Sequence, residues 1–388
     1  MGETTEFEKL RRKRKRKRNI KRFFGLVLAM ILSIAGVIAA DKIYHWDLGT
    51  KLSNVISGMR PGGGFPVPMD DLDVLKLLPM GKDIAVATSS GTYIYNSKGA
   101  RLALWPNSYN QPVSKVGGGK LLTFDLGGTH LRVDNKSEEI YSEDVGGRIY
   151  AADIAQNGGM AVACATRGHL SKVTAYNTRY AVMYTWYTNT GTVYGLSMSP
   201  NGQRFAAVSL YSKGGKLTTQ LHIHNTALSE TEAEVAVVPM EDELVLSLQW
   251  TQQDTIQILT DRILYLFDQE GREIAREPAP TGLITCYNDP EGGMYLAYGD
   301  YREQDGVTVE AYDEKMKLAG STQVNRKVLS IQTIDSGRVL LLTEGKLYLA
   351  NDDLREVKER KAQDLTAVCG IGNVIYGITP DGLTRGSL

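Results

Sequence analysis

The clearest chemistry in this chain sits at His222 and His224, two residues apart in the segment LHIHN. On a strand that spacing puts both imidazoles on one face, an arrangement able to chelate zinc or copper. Nothing close by in sequence offers a third ligand, so the pair reads as structural and no metal site is expected. Grouped carboxylates occur at Asp70, Asp71 and Asp73, at Glu241, Asp242 and Glu243, and at Asp352 and Asp353. Calcium needs converging oxygens and glycoside hydrolysis needs two carboxyls at a fixed separation, whereas these groups sit among turn residues and read as turn and solvated-surface positions. Cys164, Cys286 and Cys369 are odd in number and widely spaced, which writes neither a disulfide framework nor a CxxC metal pair. They read as buried structural thiols. No GxSxG, phosphate-binding loop or HExxH occurs. Catalytic residues and cofactors are therefore expected to be none.

Binding is the remaining chemistry. Three polar segments, TRGHLSK (166–172), YSKGGK (211–216) and GDYREQDG (299–306), look longer than the two-residue turns elsewhere. Loops of unusual length carry function more often than the scaffold does. Tyr211, Tyr301 and Arg302 are the candidate partner-binding residues, because exposed Tyr and Arg dominate interface energies. The aromatics crowded between Tyr176 and Tyr194 read as packing.

These residues must be held by strands. A short apolar segment recurs as DIAVAT at Asp83, KLLTF at Lys120, MAVACA at Met160, RFAAVSL at Arg204, TIQIL at Thr255, MYLAY at Met294, RVLLL at Arg338 and NVIYGI at Asn373. The mean spacing is about 41 residues, the length of one four-stranded propeller blade. Each apolar segment but the last is followed by an alternating strand ending in Asn or Asp: Asn96, Asp134, Asn177, Asn225, Asp268, Asp313 and Asn351. An Asx side chain there can bond its own backbone and start a tight turn.

The segments GTYIYNSKGARLALW and RILYLFDQEGREIAR resemble the repeats of quinoprotein-like (PQQ-like repeat) β-propellers. That resemblance spans residues 70–388 and implies a scaffold. The enzymes of that group hold their cofactor with carboxylates, a metal ligand set and Trp-docking repeats, and of the four Trp here only Trp105 stands at a matching strand end. The fold class expected is all-β, an eight-bladed β-propeller with seven blades as the alternative, preceded by one N-terminal transmembrane α-helix. The eighth unit, from Asp364, supplies three strands at most. The segment GFPVPMD (64–70) is the candidate for its missing outer strand, closing the ring against unpaired edges.

Charge divides the chain. Eleven of its 44 Lys and Arg lie between Lys9 and Arg22, against three Glu before position 23, so the tail carries +8 and the remainder −8. From Phe23 to Ala40 no charge interrupts the apolar run, which as a helix spans about 27 Å, close to the hydrocarbon thickness of a bilayer. A basic cluster abutting such a run stays inside the cell. The expected organisation is a basic cytoplasmic tail (1–22), a transmembrane helix (23–40), a juxtamembrane segment and Gly/Pro linker (41–69) and a β-propeller ectodomain (70–388). A cleaved signal peptide is the rival reading of 23–40, but the run is long for an h-region of about 7 to 15 residues. This combination is similar to a family of bacterial membrane-anchored propellers of unknown function.

The expected partners are the lipid bilayer through the 23–40 helix, anionic lipid head groups with the basic tail, and a protein or peptide on the propeller. Nucleic acid is not expected, because a basic run beside a spanning segment sets topology. The expected function is a non-enzymatic, single-pass, membrane-anchored extracytoplasmic binding or scaffold protein; a propeller hydrolase or quinoprotein-like oxidoreductase is the alternative.

Overall fold

Alternation along the repeats becomes 31 β-strands among the described residues. The computed structural model describes residues 60–387 except 72, 230, 300–305 and 335–336. The basic tail and the 23–40 run lie outside the described residues, and no described helix is long and apolar enough to cross a membrane.

The strands form eight antiparallel sheets, each following chain order. Seven are four-stranded blades, at 74–106, 112–144, 149–188, 192–241, 245–278, 283–324 and 328–362, and the eighth, 367–387, has three strands. First strands of successive blades contact one another around the ring, and the first strand of blade eight, Ala367–Ile371, returns to that of blade one, Val74–Met80. The molecule is an eight-bladed β-propeller. The repeated apolar segment is the second strand of each blade, packed between neighbouring sheets on both faces; all six residues of Asp83–Thr88 are buried. Outer strands meet water and turn polar, as in the exposed VKERK of blade seven. A continuous apolar run, an alternating strand and a polar strand in succession thus record depth from the axis.

The missing strand of blade eight comes from the other end of the chain. Val67 and Leu383 exchange backbone hydrogen bonds at 2.8 and 2.9 Å. Phe65, Val67 and Met69 pack on a cluster shared by blades one and eight that includes Leu77, Ile84, Cys369, Tyr376 and Leu383. The pairing is a bridge rather than a full strand, and Pro66 and Pro68 beside Val67 are tolerated because the position is an outer edge. Residues 60–69, read from sequence as linker, therefore already lie against the ring: Gly64 donates to the Lys98 carbonyl and Asn96 Nδ2 to the Arg60 carbonyl.

The Asx turns form in six of the seven blades as read. Asn96 Oδ1 accepts from Lys98 and Ala100 amides at 3.0 and 2.9 Å, and Asp268 and Asp313 repeat the pattern. Asn177, Asn225 and Asn351 likewise accept turn amides. In blade two the role moves one residue on. Asn135 Oδ1 accepts from Ser137 and Glu138 at 2.7 and 2.8 Å, while Asp134 is fully buried and pairs with Arg132 Nε at 2.8 Å.

Two loop expectations are corrected. The segment 166–172 narrows to a two-residue turn at Arg167 and Gly168, and 211–216 to Gly214 and Gly215 at the tip of an extended hairpin, Arg204–Lys213 with Lys216–Asn225. The hydrogen-bonded ladder simply runs further outward there, pairing Tyr211 with Thr218. Gly214 and Gly215 both take positive φ, as a two-residue hairpin turn of this kind demands.

Candidate functional site

Antiparallel blades present two faces. The turns joining second to third strands lie on one, and those joining first to second and third to fourth lie on the other. Tyr211 stands near the first face and is half-buried. Tyr301 and Arg302, which share its loop class, lie outside the described residues.

The opposite face gathers more chemistry. A cavity of about 740 Å³ is lined from blades one, three, five, six, seven and eight, which places it at the axis. Among the described residues its lining holds six carboxylates, Asp289, Glu291, Asp313, Glu314, Asp352 and Asp353, together with Tyr287, Tyr295 and Tyr312, and no Lys, Arg or His. The acids come from turns: Asp289 Oδ1 accepts the Glu291 amide and Asp313 Oδ1 those of Lys315 and Lys317. Tyr295 donates to the Asp352 carbonyl at 3.1 Å, tying blade six to blade seven. Burial pushes the Asp289 carboxyl up, against hydrogen bonds that lower it. Asp352 and Asp353 were read from sequence as turn and surface residues, and they are that; they share a cavity with the acids of blade six only because the two blades are neighbours in the ring.

Glu243, read as solvated, is in fact buried and accepts from Thr260 Oγ1 at 2.7 Å and Tyr265 OH at 2.9 Å. Cys164 and Cys369 are buried and Cys286 half-buried, and none of the three is joined in a disulfide.

His222 and His224 share a face of the third strand of blade four, as alternation requires. They point into the seam with blade three, where the Trp186 ring stands 4.7 and 4.5 Å from the two imidazoles and Phe205 stacks on His224 at 4.8 Å. A third group joins them. A β-bulge at Ile223/His224 sets Glu234 opposite His224 in the neighbouring strand, with Oε1 3.1 Å from His222 Nδ1 and 3.8 Å from His224 Nε2. Burial lowers the pKa of His222, against the pull of Glu234, and lowers that of His224 to about 3, with His222 adding to the effect. Burial thus favours the neutral form of both rings. Sequence reading missed Glu234, which lies ten residues from His224 across a turn; the pairing of the last two strands of the blade was the only available signal.

Residues 68–379 match one protein family, described as a family of unknown function, DUF5711. The chain belongs to that family. No curated protein matches this DUF5711 chain. Among solved structures it is similar to the C-terminal WD40 domain of Sif2, at 10% identity and a TM-score of 0.58 over 84% of this chain and 99% of that one. It is also similar to Sqt1 of Chaetomium thermophilum bound to the N-terminus of ribosomal protein L10, at 11% identity and a TM-score of 0.54 over 82% and 100%. A third likeness is BamB from Moraxella catarrhalis, at 14% identity and a TM-score of 0.52 over 82% and 97%. At such identities the likeness is one of fold, and fold alone does not carry function.

Proposed function

We propose that this chain is a membrane-anchored, extracytoplasmic, non-enzymatic binding protein whose propeller is a platform for a protein or peptide partner bearing a cationic segment. The observation that carries this reading is the mouth of the axial cavity, whose described lining holds six carboxylates against one neighbouring cation, Arg355, which pairs with Asp353 at 3.2 Å. Like charges facing a low-dielectric cavity focus an attractive potential on Lys and Arg. The apolar run at 23–40 and the basic cluster before it support anchoring with the propeller outside. The Sqt1 structure, with a protein N-terminus bound, is a precedent for a propeller of this shape in that role.

Crosslinking in intact cells with the full chain, then identification of the crosslinked protein, tests this. Capture should fall at 1 M salt, where the Debye length is about 3 Å, and in the double variant Asp313→Lys/Asp352→Lys. Capture of the same protein at unchanged yield by that variant would reject the mouth as the contact. A C-terminal epitope tag should react with membrane-impermeant reagents in whole cells, and a protected tag would reject the topology. Intact mass of the extracted protein should retain residues 1–40.

A further inference from the structure

We propose that His222, His224 and Glu234 form a binding site for one divalent transition-metal cation, zinc foremost, in the seam between blades three and four. The donor atoms all lie within 4.8 Å of one another. In a tetrahedral site with bonds of about 2.0–2.1 Å, donors stand about 3.3 Å apart. The observed 3.1 Å from Glu234 Oε1 to His222 Nδ1 and 3.8 Å to His224 Nε2 bracket that edge.

Orientation is the second argument. A histidine ligand normally has its other ring nitrogen held by a hydrogen-bonding partner, which fixes tautomer and ring angle. Here the Ser209 hydroxyl lies 3.0 Å from His222 Nε2, and the Tyr184 hydroxyl 3.3 Å from His224 Nδ1. That leaves His222 Nδ1 and His224 Nε2 facing the Glu234 carboxylate. His224 is fully buried, and its Nε2 has no hydrogen-bond partner. A buried polar atom left in that state is disfavoured, and a cation beside it resolves the deficit. Packing against Trp186 and Phe205 accounts for two buried rings, but it does not require a carboxylate on the same side of both.

The donor set selects the ion. Two imidazoles and one carboxylate suit zinc and its neighbours, whereas calcium and magnesium require oxygen ligands. Glu234 reaches in from solvent with its side chain 44% exposed, so an ion has a path, and three protein ligands leave a fourth position for water.

The test uses the full chain in detergent, stripped with EDTA, dialysed and titrated with zinc chloride by calorimetry and thermal unfolding. One zinc per chain should bind at micromolar concentration or tighter, raise the unfolding midpoint by several degrees and alter Trp186 emission, whereas calcium and magnesium should do none of these. Glu234→Gln, at a partly exposed position, should still fold, yet weaken zinc binding at least ten-fold and abolish the zinc-dependent rise over its own metal-free midpoint. His224→Gln should remove the site as well; should it fail to fold, Glu234→Gln decides alone. Absence of saturable binding, or the same affinity and midpoint shift in Glu234→Gln as in the natural chain, would overturn the assignment.

Discussion

Val67 and Leu383, 316 residues apart, exchange reciprocal backbone hydrogen bonds and so seal the two ends of the described ring. Leu383 is fully buried in the cluster that joins blades eight and one. Leu383→Ala should cost about 2–5 kcal/mol through lost burial and the cavity left behind. Deleting the last 16 residues should lower the melting temperature sharply and broaden the transition, because two sheet edges and an apolar face would open to water. An unchanged midpoint for the truncated chain would count against closure.

Lys136 Nζ and Asp83 Oδ2 form an ion pair at 2.5 Å between blades two and one, with both residues buried. Removing one partner of such a pair strands the other charge. Lys136→Met should therefore destabilise by about 3–5 kcal/mol, and adding Asp83→Leu should recover part of that loss. Denaturant unfolding of the two variants checks the order; a single variant more stable than the double one refutes it.

Asp134 predicts a pH dependence. Burial pushes its carboxyl up to about 6, outweighing the hydrogen bond and charge of Arg132. Its folded pKa thus lies above the ordinary value of 3.8, so the native state holds a proton that the unfolded chain gives up. The associated stability is full below about pH 4 and is lost as pH rises through about 6. Asp134→Asn should flatten that part of the stability profile relative to the natural chain. Parallel profiles between pH 4 and 6.5 would show that the group titrates normally.

Glu310 accepts hydrogen bonds from Tyr298 and Tyr312, each at 2.8 Å. Glu143 does the same for Tyr141 and Tyr176, at 2.6 and 2.8 Å. Burial, then the carboxylate, raises the phenol of Tyr298 to about 12 and that of Tyr312 further. Glu310→Ala should cost about 1–3 kcal/mol for the buried Tyr312 hydroxyl left unpaired. It should also bring tyrosine ionisation to lower pH, read by ultraviolet difference absorbance. A tyrosine titration identical to that of the natural chain would refute the coupling.

Much of the scaffold was legible without coordinates, because the patterns that encode it act over a few residues. Alternation in LHIHN put His222 and His224 on one face, Asn96 and Asp268 marked their own turns, and eight apolar second strands counted eight blades. GFPVPMD could be matched to an open edge since closure leaves only one vacancy. Local pattern failed where a ladder simply ran on, as at Tyr211, whose segment reads equally as loop or as hairpin until Thr218 pairs with it. It failed again at Asp134, where Asn135 offers the same turn chemistry one residue later.

The sequence by itself determined which segments are strands, where most turns begin and how many times the module repeats, since side-chain period and Asx chemistry are properties of short stretches of chain. Only the tertiary structure decided which groups meet. Acids from two different turns of blade six and one of blade seven line a single cavity because the two blades are neighbours in the ring. Glu234 faces His224 because a one-residue bulge shifts the register between paired strands, and Trp186 covers both histidines because neighbouring blades pack face to face. Those placements depend on geometry summed around the whole ring, which no local stretch of sequence contains.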